Sequence, residues 1–91
     1  MRTIVRGLKS IINATLITMI TKNPTLQQLG QTIRTLRQSA SYTQEEFAYK
    51  AGLDRSYYGA VERGERNLSV LNLLKIAEAL GVDVGVLFED E

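Results

Sequence analysis

Residues 43–66, TQEEFAYKAGLDRSYYGAVERGER, decide the fold of this 91-residue chain because they encode two short helices in immediate succession. Thr43 followed three residues later by Glu46 is typical of a capping box, which starts a helix. Gly52 is a helix stop, and Asp54 can cap a new helix two residues later. Helices this short are marginal in isolation, so the sequence predicts that neighbouring helices hold the pair in place.

The residues at the joint between these two helices favour a close and steep crossing. Ala48 and Gly52 are both small and lie four positions apart, and Gly52 can adopt the left-handed backbone conformation that a sharp turn needs. The second helix is expected to stop at Gly64. The positions of the pair that are expected to face the core are Phe47, Leu53, Tyr58 and Val61.

The second helix is predicted to present an outward face made of Arg55, Ser56, Tyr57, Gly59 and Ala60. This face combines a forked donor, a hydroxyl, an aromatic ring and two small residues. Such a combination suits a helix pressed into a groove better than one that only meets solvent.

Helical patterns also flank the pair. Residues 25–40 have Thr25 as a candidate cap and an apolar stripe of Leu26, Leu29, Ile33 and Leu36. Residues 67–81 have Ser69 as cap, Gly81 as stop and an expected inward face of Leu73, Leu74, Ala77 and Leu80. Residues 82–91 can add one last turn after Asp83. No segment alternates as a strand would, so the sequence predicts an all-α fold, a compact five-helix domain.

An N-terminal extension, residues 1–24, precedes the domain of residues 25–91. It is apolar and β-branched, but its uninterrupted apolar runs are far below the roughly 18 residues of a membrane span, so no membrane partner is expected. We expect an additional helix that packs on the domain or on a partner subunit. Alternatively Met19 is the natural start, and the residues before it are dispensable.

Composition excludes several kinds of function. The chain has no cysteine and no histidine, which removes disulfides, zinc sites, thiol nucleophiles and the usual general base. The remaining polar residues show no recognisable catalytic spacing. We therefore expect no enzyme, no metal and no cofactor, and the lack of cysteine fits a cytoplasmic protein.

The formal charge of +1 is unevenly distributed. Residues 1–25 hold four bases and no acid, which leaves seven bases and ten acids, a net charge of −3, in residues 26–91. If the domain binds nucleic acid, it must gather its bases on one face, because phosphate attraction depends on the local field.

Several of these residues are shared with a known family. The pattern resembles the helix-turn-helix of phage repressors, called the Cro/C1 or XRE type, in Gln44, Ala48, Gly52, Val61 and residues 62–64. The similarity extends over about residues 26–88, and residues 53–73 look most like the controller proteins of restriction-modification systems. Tyr58 departs from the pattern, because the family usually has an aliphatic residue there.

The resemblance implies a sequence-specific DNA-binding transcriptional regulator that binds double-stranded DNA, an operator with two half-sites, as a homodimer. The residues expected to read bases are Arg55, Ser56, Tyr57 and Ala60, where Arg55 can donate two hydrogen bonds to guanine. The residues expected to meet phosphate are Gln44, Arg63, Arg66 and Asn67. Arg55 as a solvated residue and Ser56 as a helix cap remain open alternatives.

Two further sets of residues have predicted structural roles. In the family an arginine near the end of the first helix pairs with the glutamate that closes the recognition helix, which implies an ion pair between Arg37 and Glu62. The apolar C-terminal region is predicted to form the dimer interface through Leu68, Val86 and Phe88.

Two other functions remain as hypotheses. One is an antitoxin that binds both DNA and a second protein, using the apolar N-terminal segment for its partner. The other is a scaffold with the same fold that binds no DNA. The family resemblance indicates a protein of bacterial or phage origin that acts in the cytoplasm.

Overall fold

The computed structural model describes residues 23–89, which form four α-helices and a terminal 3-10 helix. The elements are α1 (Pro24–Ser39), α2 (Gln44–Ala51), α3 (Arg55–Glu62), α4 (Val70–Leu80) and the 3-10 helix (Val84–Phe88). The all-α prediction is confirmed for this part of the chain, in which no strand occurs, and the fifth element is a single 3-10 helix. The predicted N-terminal helix and the alternative start at Met19 lie outside the described residues.

The first helix begins two residues earlier than its predicted cap implies. Asn23, and not Thr25, is its cap: the Asn23 side-chain oxygen accepts the backbone N–H groups of Thr25 at 2.8 Å and Leu26 at 3.2 Å. Pro24 occupies the first helical position, where its fixed φ suits a helix and its missing N–H costs no hydrogen bond. The Asn-Pro pair therefore sets this boundary.

The other caps follow the sequence signals. Thr43 and Glu46 form the predicted capping box, with the Thr43 hydroxyl 3.1 Å from the Glu46 backbone nitrogen and the Glu46 carboxylate 2.9 Å from the Thr43 backbone nitrogen. Asp54 and Ser69 each accept a backbone N–H three residues further on. Gly52, at φ 73°, ends α2 in the left-handed conformation. The caps and the left-handed turn at the joint between α2 and α3 are therefore as predicted.

One fully buried residue from each element forms the centre of the core. The five largest such residues are Ile33, Phe47, Tyr58, Ile76 and Leu87, which come in turn from α1, α2, α3, α4 and the 3-10 helix. The rings of the two aromatic members lie 5.2 Å apart between centroids. Because each short element contributes to one cluster, none of them has to be stable alone.

The buried stripe of α4 differs from the predicted one. Leu74 is 47% exposed, whereas Ile76 is completely buried, so the prediction that Leu74 points inward was wrong. Leu73, Ala77 and Leu80 do pack on or within the core, as expected. α4 contains more apolar residues than one stripe can bury, and the position of the stripe depends on how the helix sits on its neighbours.

The backbone of α1 runs against the end of α3. A Cβ atom at Gly30 would lie 2.4 Å from the carbonyl oxygen of Val61 and 2.5 Å from that of Glu62. Real Cβ atoms do not approach carbonyl oxygens this closely, so only glycine permits the two helices to meet here. Within residues 23–89, no helix is long and apolar enough to cross a membrane.

Candidate nucleic-acid interface

Glu62, the last residue of α3, is hydrogen-bonded to two other helices. Its carboxylate accepts two bonds from Arg37 on α1, at 2.6 Å from Nε and 3.0 Å from Nη2. It accepts a third from the side-chain amide of Gln44 on α2, at 2.9 Å. The remaining Arg37 nitrogen, Nη1, donates to the Tyr42 carbonyl in the loop between α1 and α2 at 2.7 Å. The structure thus places Arg37 and Glu62 in a bidentate pair that joins α1, α2 and α3.

The environment of the pair keeps both members charged. Burial by itself would raise the pKa of Glu62, but the hydrogen bonds from Arg37 and Gln44 and the nearby Tyr58 hydroxyl outweigh it and lower the pKa below its usual value. The hydrogen bond to Glu62 raises the pKa of Arg37. Both residues are almost fully buried, at 7% and 6% exposure, so neither charge can be solvated if its partner is removed.

Tyr58, the residue that departs from the family pattern, lies in the core beside the ion pair. Its side chain is fully buried, and its hydroxyl makes no hydrogen bond within the described residues. Burial, and after it the neighbouring Glu62 carboxylate, raise the pKa of Tyr58 far above its usual value. Tyr58 therefore stays neutral beside the pair and acts as a core residue.

The accessible part of α3 is its first turn. Five consecutive residues of the helix, from Tyr58 to Glu62, are buried, because α3 packs against both α1 and α2. Ala60 is only 8% exposed, which leaves little of it accessible, and its predicted role in reading bases stays a prediction. Gly59 is likewise buried. The predicted outward face is reduced to Arg55, Ser56 and Tyr57, the first two exposed and the third half-buried.

The predicted phosphate-binding residues at the end of α3 and in the loop after it differ in their contacts. The Arg66 guanidinium lies 5.7 Å from the centroid of the Tyr57 ring, which brings a residue from the loop after α3 back to its beginning. Arg63 is exposed and forms an ion pair with Glu65 at 3.1 Å, a contact that contributes little in solvent. Asn67 is exposed in the same loop. Arg66 therefore lies beside the turn that carries Arg55, although residues 26–91 are acidic as a whole.

Gln44 has a different environment from the one that the sequence suggests. One N–H of its side-chain amide donates to Glu62, and the amide has a second N–H. Its backbone N–H, at the first position of α2, belongs to the group of helix N–H donors that have no partner within the helix. A phosphate at this helix end would meet the backbone N–H of Gln44 and the second N–H of its side-chain amide.

The predicted dimer residues differ in their exposure. Leu68 and Val86 are half-buried, and Leu68 packs against the core. Phe88 is 54% exposed. A second apolar surface, which the sequence analysis did not identify, lies on α4 at Val70, Leu71 and Leu74, with exposures of 71%, 72% and 47%. Its only sequence signal is the surplus of apolar residues in α4.

Comparison with known proteins agrees with this geometry. The family model described as Helix-turn-helix matches residues 33–87. The chain is 41% identical over 64 residues to control protein C.MunI of a Mycoplasma species, an alignment that covers 69% of this chain and 86% of that protein. The chain belongs to the Cro/C1-type helix-turn-helix family.

Two other members are similar over much of their length. Control protein C.BamHI of Bacillus amyloliquefaciens is 46% identical over 54 residues, which are 58% of this chain and 67% of the relative. The crystal structure of the restriction-modification controller protein C.AhdI from Aeromonas hydrophila has a TM-score of 0.68 at 49% identity and covers 69% of this chain and 96% of its own. As a member of this family, the chain is a DNA-binding transcriptional regulator. The antitoxin hypothesis finds no support in these comparisons.

In the helix-turn-helix unit, removing one member of the buried pair leaves the other charge unpaired. We predict that Arg37→Ala lowers the free energy of unfolding by about 3 kcal/mol. A double-mutant cycle with Glu62→Ala, measured by urea unfolding, should give a coupling of about 0.5–3 kcal/mol. Additive effects of the two substitutions would show that the pair does not contribute as a unit.

The same coupling should depend on pH in a defined direction. The pKa of Glu62 is lower in the folded state, so its stabilising effect is complete above the unfolded glutamate pKa of about 4.3. It is lost as the pH falls through the lower pKa of the folded protein. A coupling that instead declined as the pH rose from 5 to 8 would contradict the charged pair.

Proposed function

We propose that this protein binds an operator as a homodimer, with the first turn of α3 in the major groove of each half-site, and regulates transcription from there. The observation that carries this proposal is that Arg55, Ser56 and Tyr57 are the accessible residues of an otherwise buried helix. In helix-turn-helix proteins, the N-terminal residues of the second helix are those that contact base edges. The exposed part of α3 therefore coincides with the part that this docking requires.

The three side chains have different capacities for reading DNA. Arg55 can donate two hydrogen bonds to the O6 and N7 atoms of guanine. Ser56 can donate to or accept from a base edge through its hydroxyl. Tyr57 presents both a ring edge for a thymine methyl group and a hydroxyl. Arg55 is the principal reading residue of this proposal, because a bidentate contact discriminates most strongly between bases.

Phosphate contacts on both sides of the groove would orient the helix. The N-terminus of α2 offers the backbone N–H of Gln44 and the positive end of a helix dipole. Arg63, Arg66 and Asn67 lie in or beside the loop that follows α3 and would meet the backbone on the other side. Such contacts fix the register of the protein without reading sequence.

The regulated promoter is proposed from the relatives. The similar proteins include control proteins and a structure described as a restriction-modification controller. We therefore infer that the operator of this protein controls the genes of a restriction-modification system, and that the protein acts in the cytoplasm of a bacterial cell. Selection of bound fragments from the source genome, followed by sequencing, tests this target directly. Enrichment of unrelated promoters would overturn it.

Base reading and phosphate binding should be separable by mutation. Arg55→Ala should weaken operator binding by about 1–3 kcal/mol per half-site and relax the preference at one base pair, with little effect on random DNA. Arg66→Ala should weaken binding to operator and random DNA alike and reduce the salt slope by about one per site. Fluorescence anisotropy titrations at several salt concentrations measure both effects.

A matched control and a contradicting outcome are available for this pair. Arg34 is exposed on α1, outside the proposed interface, so Arg34→Ala removes the same charge without removing a contact. Equal weakening of operator and random DNA by Arg55→Ala, with an unchanged base preference, would make Arg55 a phosphate contact. The proposed reading residue would then be wrong.

The dimer interface is predicted to include Phe88, and the exposed apolar surface of α4 supplies a comparison. Phe88→Asp should give a folded monomer with weaker operator binding, because a buried charge in an apolar interface is unfavourable. Leu71→Asp places the same charge on the α4 surface. Light scattering reports the mass of each variant. If Phe88→Asp remained a dimer and Leu71→Asp became a monomer, the interface would lie on α4 and the assignment of Phe88 would be wrong.

A further inference from the structure

Tyr57 is held from two sides within the free protein. The side-chain amide nitrogen of Asn72, on α4, donates a hydrogen bond to the Tyr57 hydroxyl oxygen at 3.1 Å. The guanidinium of Arg66 lies over the Tyr57 ring at 5.7 Å from its centroid, a distance at which a cation is attracted to an aromatic face. The orientation of Tyr57 is therefore fixed before any DNA is bound.

Asn72 is itself well placed to fix another residue. Its backbone N–H donates to the side-chain hydroxyl of Ser69 at 3.1 Å, and this hydrogen bond caps the N-terminus of α4. The side chain is half-buried and connects α4 to a residue fifteen positions earlier in the chain. Because the cap uses the backbone of Asn72 and the contact with Tyr57 uses its side chain, a side-chain substitution can remove the second without the first.

The direction of this hydrogen bond determines what the Tyr57 hydroxyl can offer. A phenol carries one proton to donate and lone pairs that accept. The oxygen accepts the amide N–H of Asn72, and within residues 23–89 the phenolic proton is donated to no acceptor. It can then be donated to an acceptor on DNA, such as a phosphate oxygen, guanine N7 or O6, or thymine O4.

We propose that Asn72 is a positioning residue for operator recognition, which orients the Tyr57 hydroxyl as a hydrogen-bond donor toward DNA. This inference rests on the proposed function, because it requires the first turn of α3 to meet the operator. It adds a residue on α4, outside the helix-turn-helix pair, to those that determine specificity. Asn72 acts through Tyr57 and is proposed to make no DNA contact of its own.

A double-mutant cycle in DNA binding tests the proposal. The probes are the genomic fragment selected by the wild-type protein and a random duplex of equal length. Asn72→Ala and Tyr57→Phe should each lower the preference for the selected fragment by about three- to tenfold, as expected for one hydrogen bond. The double variant should lose no more than Tyr57→Phe alone, because Asn72 has no effect without the hydroxyl.

Asn72→Asp provides a second test that instability cannot mimic. A carboxylate can only accept, so it would draw the phenolic proton inward and remove it from DNA. At the same time an acid in the first turn of α4 favours the helix. The preference for the selected fragment should therefore fall at least as far as in Asn72→Ala, while thermal unfolding shows no loss of stability. Affinity for the random duplex measures the effect of the added negative charge separately.

The outcomes distinguish this inference from the proposed function. Tyr49→Phe, at a tyrosine that is 89% exposed on α2, is the matched control and should change nothing. If Asn72→Ala lowered the preference for the selected fragment equally with Tyr57 and with Phe at position 57, or did not lower it at all, the proposed role of Asn72 would be wrong. The proposed function would be unaffected by that result. A wild-type protein that prefers no fragment over random DNA would overturn the proposed function and this inference with it.

Discussion

The carboxylate of Glu62 is the point on which the arrangement of the helix-turn-helix unit depends. It accepts hydrogen bonds from Arg37 on α1 and Gln44 on α2, and it belongs to the last turn of α3. Beside it, Gly30 lets the α1 backbone approach the same end of α3 to a distance that no side chain would tolerate. A buried ion pair is a weak source of net stability, because desolvation opposes the attraction. Its geometry is nonetheless specific, since the forked guanidinium accepts only a narrow range of carboxylate positions.

Fixing one end of a short helix determines what its other end can do. With residues 58–62 of α3 buried between α1 and α2, only the first turn extends from the domain. This turn carries Arg55, and the loop that follows the helix returns Arg66 to the same place through its contact with Tyr57. Two arginines are thereby brought to the beginning of α3 in a domain whose net charge is slightly negative, which is consistent with attraction of DNA by the local field.

The sequence predicts the local features of this domain and not the ones that depend on neighbours. Helix boundaries at Gly52 and Asp54 follow from capping and backbone preferences, which act within a few residues. The burial of Ala60 and the exposure of Leu74 depend on where a second helix crosses, and periodicity within one helix does not specify that. The hydrogen bond from Asn72 to Tyr57 has no signal in the local sequence, because it joins side chains on two helices that are fifteen residues apart in the chain. The pairing of α1 with α3 was expected only through the family resemblance.

We propose that the bidentate contact of Arg37 with Glu62 orients α3 for reading sequence. The measurement that tests it most directly is the ratio of operator to random-DNA affinity in Arg37→Lys, with Arg34→Lys on the same helix as the control. Both substitutions keep the charge, but only the first removes a buried forked contact, which an ammonium group cannot reproduce. We expect Arg37→Lys to lower the ratio while random-DNA affinity stays constant, and Arg34→Lys to change neither. A folded Arg37→Lys protein with the full wild-type ratio would contradict the claim.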